Sequence, residues 1–168
     1  MSLSILSNWS NHLIGIASSP YSAPANCPVT APTVSEFPPR FIGFITNYKK
    51  SRRYIKYEKL KNLVSVKRNG IDFVSVLVDP DDKILEKINK LKFDFYQLYD
   101  VSPERTKMIK EKYNVKIITA LTISNQKDVN TYKDYDEISD IILFDGKGYE
   151  KSIGFNHELL NSIPNSIN

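Results

Sequence analysis

Five short apolar runs recur along the chain, and most are followed by a stretch with helical periodicity. This recurrence constrains the fold more than any other feature. The runs are Phe41–Ile45, Phe73–Val78, Phe93–Leu98, Lys116–Leu121 and Asp140–Phe144, and their starts near 41, 73, 93, 116 and 140 lie mostly 20 to 24 residues apart. That is the period of β-α units joined by short loops. The first run is continuous rather than alternating, as in a strand covered on both faces, and Gly43 inside it permits a close approach.

The stretches between them carry helix signals. Tyr57, Leu60, Leu63 and Val64 share one face of a Lys-rich helix over 56–64. Asp79 or Asp81 caps a second helix, whose apolar stripe is Ile84, Leu85, Ile88 and Leu91. Ser102-Pro103-Glu104 supplies an N-cap, a first-turn proline and an early acid for a third helix through Tyr113. A weaker helix is expected over 125–132, and a last amphipathic piece over 156–160.

Right-handed crossovers between such units give a parallel sheet. Its strand ends, with Arg53, Asp79, Tyr99, Thr122 and Asp145, then emerge on one face, where any site is expected. The fold class is α/β. Five strands fit either an open doubly wound sheet or part of a (β/α)8 barrel, which takes about 250 residues to close. At 168 residues, length alone favours the open sheet.

Residues 1–40 differ from the rest. They hold eight serines and six of the nine prolines, with Pro20, Pro24, Pro28 and Pro32 four apart, and their only charges are Glu36 and Arg40. An irregular Ser/Pro-rich leader is expected there, with at most a small strand over 13–16, ahead of one domain over 41–168. The lone Cys27 excludes an internal disulfide and points to a reducing, cytoplasmic setting. With no run of 18 apolar residues, no membrane association is expected.

The net charge of +4 is spread along the chain, and the ten tyrosines show no RNP-like or zinc-finger spacing, so no nucleic-acid partner is expected. His12 and His157 lie far apart without ligands at metal spacing, so no metal site is expected. No strand leads into a phosphate-binding glycine motif. The clearest charge cluster is Lys49, Lys50, Arg52 and Arg53, directly after the first run. On position alone it reads as a solvated basic loop; at the C-terminal end of a parallel strand it also suits an anionic ligand.

Blocks in these same places carry a resemblance. They are G-F-I at 43–45, K-S-R-R-Y-I at 50–55, V-S-V-L-V-D at 74–79, D-F-Y-Q-L-Y at 94–99, I-L-F-D-G at 142–146 and G-F-N-H-E-L-L at 154–160. In this order and spacing the sequence resembles the phosphoribosylanthranilate isomerase family of tryptophan biosynthesis. The resemblance implies a TIM (β/α)8 barrel, present in part as about its second to sixth strands.

It further implies an aldose-ketose isomerase acting on a phosphosugar-anthranilate without a cofactor, by an Amadori rearrangement. Asp145 would be the general acid, Arg53 would bind the anthranilate carboxylate, and Gln97 would be among the substrate-binding residues. A carboxylic acid at the mouth of an apolar strand can keep a proton for a leaving ring oxygen, because burial disfavours the ionised form. A guanidinium meets a carboxylate in a two-pronged geometry that Lys cannot make.

Departures from the family pattern shape the remaining expectations. Ile14 stands where the family's first-strand Cys acts as general base, and Cys27, in A-N-C-P, is a poor substitute. The family's L-H-G reads Leu98-Tyr99-Asp100, and the glycine-rich loop keeps only Gly146, Gly148 and Gly154. The chain is expected to be a truncated or inactive form. The alternative is a non-catalytic barrel-derived paralogue serving as a ligand-binding or interaction module.

Overall fold

The apolar runs form strands, and the periodic stretches between them form helices. The computed structural model of the chain describes residues 39–146 and 154–164. Within these, β1 (Phe41–Ile45) is followed by α1 (Tyr57–Val64), β2 (Asp72–Val78), α2 (Asp82–Asn89), β3 (Phe95–Tyr99), α3 (Pro103–Tyr113), β4 (Lys116–Ile123), α4 (Gln126–Asn130) and β5 (Ile141–Gly146). Short 3-10 helices follow α4 at Thr131–Asp134 and β5 at His157–Ser162. The expected leader up to residue 38, with its small strand, His12, Ile14 and Cys27, lies outside the described residues, as does Gly148.

All strand pairs are parallel, and the order in the sheet is β1-β2-β3-β4-β5. A doubly wound sheet reverses its strand order part-way, so that helices cover both faces. Here every crossover steps in the same direction. The open sheet favoured by length is therefore overturned: this is a curled half-barrel with its helices on the outside.

Two apolar layers follow from the two-residue period of the strands. On the helix side, Phe44, Phe73, Leu77, Tyr96, Leu98 and Ile117 pack against Leu60 of α1, Leu85 and Ile88 of α2, and Ile109 of α3. Further along, Leu121, Ile123, Ile142 and Phe144 pack on Val129, Tyr132 and Leu160. On the inner side Phe41, Val74, Phe95, Tyr99, Ile118, Ala120 and Leu143 form a separate cluster. Phe41 and Phe95 meet edge-on at 5.4 Å across the intervening strand.

Local chemistry sets the helix ends. Asp81, not Asp79, caps α2 by accepting the Ile84 N–H. Ser102 caps α3 as expected, and Asn114 closes it in the left-handed conformation. The helix expected over 125–132 is shorter. Asn125 and Asp128 form a capping box that starts it, but Thr131 turns its hydroxyl back to the Asp128 carbonyl at 2.6 Å and the chain tightens into a 3-10 turn. β3 begins at Phe95 rather than Phe93, because the preceding Asp94 is used as an anchor.

That anchor occurs twice, at the N-terminal floor of the sheet. Asp94 accepts the Phe73 N–H of β2 at 2.8 Å and pairs with Arg68, whose guanidinium also lies over the Phe73 ring. Asp140 accepts the Ile117 N–H of β4 at 2.8 Å and pairs with Lys110 of α3 at 3.0 Å. In each case one carboxylate ties the start of one strand to the start of its neighbour. Among the described residues, no helix is long and apolar enough to cross a membrane.

Two predictions follow from this packing. Asp94→Ala strips a charged acceptor from the Phe73 N–H and should lower the unfolding free energy by about 2 kcal/mol, read as a drop in urea midpoint at unchanged slope. Tyr96 is buried against Tyr113, with ring centres 6.4 Å apart, and burial followed by Tyr113 pushes its hydroxyl well above the usual tyrosine range. The folded chain therefore holds this proton more tightly than the unfolded chain does. Its contribution is intact below pH ~10 and is lost as pH rises further, by about 1.4 kcal/mol per pH unit. Stability curves between pH 9 and 12 should be flatter in Tyr96→Phe.

Candidate active site

Because the strands are parallel, their C-terminal ends form one mouth, where a barrel places ligands. At the β1 end of this mouth the loop over 46–56 is tied down by side chains. The Asn47 amide makes a two-bond clasp with Val78 of β2: its Nδ2 donates to the carbonyl at 2.7 Å, and its Oδ1 accepts the N–H at 2.9 Å. The Thr46 hydroxyl bonds the Val76 carbonyl at 3.2 Å and lies 3.0 Å from the Ser75 hydroxyl. The loop returns through the Ile55 N–H, which donates to the Ile45 carbonyl at 3.0 Å, beside a parallel bridge between Ile45 and Tyr54.

Arg53 sits just before that bridge, its N–H donating to the Ser51 hydroxyl at 3.1 Å. Its side chain is exposed, as are those of Lys49, Lys50 and Arg52, and among the described residues it makes no ion pair. The loop is anchored while its cations point to solvent.

At the other end the strands bring three side chains together. Gln97 lies on β3 and is 2 % exposed, and Tyr99, two residues on and therefore on the same face, is 8 % exposed. Gln97 Nε2 donates to the Tyr99 hydroxyl at 2.9 Å, and that hydroxyl donates to Asp145 Oδ2 at 3.0 Å. The Gly146 N–H donates to Asp145 Oδ1 at 2.8 Å. Asp145 is half-buried, opposite Thr122 of β4 in the register. Gln97 Oε1 is buried and makes no hydrogen bond among the described residues.

Of the three residues expected at the site, Gln97 and Asp145 are thus linked through one hydroxyl. Arg53 follows the C-terminal end of β1, at the opposite edge of the sheet from β5, which carries Asp145. Sequence reasoning missed two participants. Tyr99 was visible only as a strand-end residue, although a polar Gln two positions before a strand-ending Tyr places both on one face. Asn47 gave no signal, since its partner lies 31 residues away.

Other features stand apart from this group. A surface cleft of about 340 Å³ between the ends of β3 and β4, lined by Asp100, Val101, Thr122 and Tyr135 among others, contains none of the three expected residues. His157 opens the last 3-10 turn with its ring 5.1 Å from that of Phe155.

The family model for N-(5'phosphoribosyl)anthranilate (PRA) isomerase matches residues 30–167. The chain belongs to this family. N-(5'-phosphoribosyl)anthranilate isomerase of Brucella canis is 35% identical over 108 residues, 63% of this chain and 48% of that protein, and the Brucella suis protein matches equally. The chain therefore spans about half the length of these relatives.

Among solved structures, phosphoribosyl anthranilate isomerase from Thermotoga maritima superposes with a TM-score of 0.64 at 25% identity, covering 75% of this chain and 62% of that one. A family structure in complex with reduced 1-(o-carboxyphenylamino)-1-deoxyribulose 5-phosphate gives 0.59 at 27% identity, over 67% of this chain and 56% of that one. The half-barrel thus corresponds to part of the isomerase fold.

The Asn47 clasp can be tested directly. Asn47→Ala removes both bonds to Val78, and the loop should open more often. Trypsin cleavage at Lys49, Lys50, Arg52 or Arg53 should then speed up by at least about tenfold under native conditions, measured by limited proteolysis with mass spectrometry.

Proposed function

We propose that this chain carries the isomerase chemistry of its family, the Amadori rearrangement of phosphoribosylanthranilate, an aminoaldose phosphate, to its aminoketose. The observation that carries this reading is Asp145 at the C-terminal end of β5, its carboxyl bonded by Tyr99 and Gly146 in a chain that belongs to the family. In this reading Asp145 protonates the ribose ring oxygen as its bond to C1 breaks, while the anthranilate nitrogen lone pair forms the C1=N iminium. A base then removes the C2 proton, and the resulting enolamine tautomerises to the ketone. Substrate and product are isomers, so no oxidant, reductant or cofactor is required.

Arg53 takes the anthranilate carboxylate. Support comes from its exposed guanidinium at the same mouth, free of ion pairs among the described residues, and from the two-pronged match between guanidinium and carboxylate. Gln97 offers a buried acceptor without a partner, suited to a substrate hydroxyl. The half-barrel with its leader works on a small phosphosugar-anthranilate in the cytoplasm, the setting that suits a chain with a single cysteine. The second reading, a non-catalytic binding or interaction module on the same scaffold, is favoured by Ile14 in place of the family's thiol.

Growth of a tryptophan auxotroph lacking this isomerase, together with turnover in vitro, separates the two. Under the isomerase reading Asp145→Asn lowers kcat by about 10²- to 10⁴-fold with little change in KM. Arg53→Ala raises KM by about tenfold or more, since it removes ground-state binding. Turnover indifferent to Asp145→Asn would sink the mechanism. Binding of a reduced product analogue by calorimetry, with no turnover, would favour the binding module.

A further inference from the structure

The three-residue chain at the mouth has a direction. An amide NH₂ donates and does not accept. Because Gln97 Nε2 occupies the Tyr99 oxygen as a donor, the single Tyr99 proton is committed to Asp145 Oδ2. The Tyr99 ring belongs to the inner apolar cluster with Val74, Phe95 and Ile118, so packing holds the hydroxyl in place.

We propose that Tyr99 is the positioning residue for Asp145, taking a hydrogen bond from Gln97 and giving its own proton to one carboxyl oxygen. The carboxyl is then gripped from two sides, by β3 through Tyr99 on Oδ2 and by its own strand through the Gly146 N–H on Oδ1. The inference deepens the isomerase reading and rests on it for the use to which the Asp145 proton is put. As that proton leaves for the substrate's ring oxygen, negative charge develops on Asp145. Both bonds strengthen with it, because donors aimed in advance at a developing charge need no reorganisation.

A second observation supports a functional origin. Gln97 is 2 % exposed and leaves Oε1 buried with no hydrogen bond among the described residues, a cost that an apolar residue at 97 would avoid. What its side chain supplies in return is the bond to Tyr99. Thr122 stands opposite Asp145 on β4, and among the described residues no charged side chain forms an ion pair with Asp145.

The Gly146 amide is a built-in reporter, since its resonance follows the charge on the oxygen it bonds. In the isotope-labelled full chain it should show an inflection with pH that disappears in Asp145→Asn. Tyr99→Phe keeps the ring and removes the hydroxyl, and should move that inflection upward by about one pH unit, the tenfold change expected for a lost bond to a charged acceptor. In the unaltered chain the Tyr99 ring carbon bearing oxygen should inflect at the same pH as Gly146.

A Gly146 midpoint unmoved by Tyr99→Phe overturns the proposal. So does a Tyr99 ring carbon blind to that midpoint, a measurement that needs no variant to fold. The isomerase reading fails separately: a relay that titrates as described in a protein with no turnover rejects that reading and leaves the positioning role standing.

Discussion

The strand register carries every functional statement about the mouth of this sheet. Side chains alternate along a strand, so a slip of one residue would turn Gln97, Tyr99 and Asp145 toward the helices and bring Tyr96 and Phe144 inward. Hydrophobic sorting resists such a slip, but the floor of the sheet opposes it more directly. Asp94 and Asp140 each hold the first N–H groups of a neighbouring strand while an Arg or Lys from the preceding segment neutralises the carboxylate. One strand step is thereby fixed between β2 and β3, another between β4 and β5. β3 and β4 then pair directly from Phe95 with Lys116.

This arrangement divides labour along the strands. At the floor, one oxygen of each carboxylate takes both a backbone donor and a cation, and the role of these groups is structural. At the mouth, Gln97 keeps an oxygen without a hydrogen bond among the described residues, and Arg53 holds its guanidinium in solvent. A buried polar atom without a partner costs stability, and at the mouth of a sheet it offers a ligand an acceptor. The same residue type therefore serves opposite ends. Asp140 and Asp145 lie five residues apart on one strand and its approach, one anchoring the register and the other facing the site.

Much of this was legible in the sequence because it depends on local pattern. Apolar-rich runs marked all five strands, and Ser102-Pro103-Glu104 marked the start of α3, since a cap, a first-turn proline and an early acid act within one turn. The position of Asp145 followed from a strand ending in D-G. Strand order was not legible in the apolar pattern, which is the same whether successive crossovers continue in one direction or reverse; length pointed to an open sheet, whereas the resemblance implied the partial barrel that the structure shows. Long-range polar pairing was equally hidden. Nothing near Tyr99 announces a partner 46 residues away, and nothing near Asn47 announces Val78.

Tyr99 at the end of β3, where the resemblance would set a His, differs from an imidazole in more than size. A hydroxyl accepts and donates at one oxygen, so a hydrogen-bond chain passes through a single atom, with Gln97 on one side and Asp145 on the other. An imidazole accepts at one nitrogen and donates at the other, so the same chain would have to cross the ring and its ends would diverge. A tyrosine here also carries no charge near neutral pH, whereas a histidine titrates there and would couple its own charge to the neighbouring carboxyl. The mouth of this sheet thus leaves Asp145 beside a neutral donor of fixed direction.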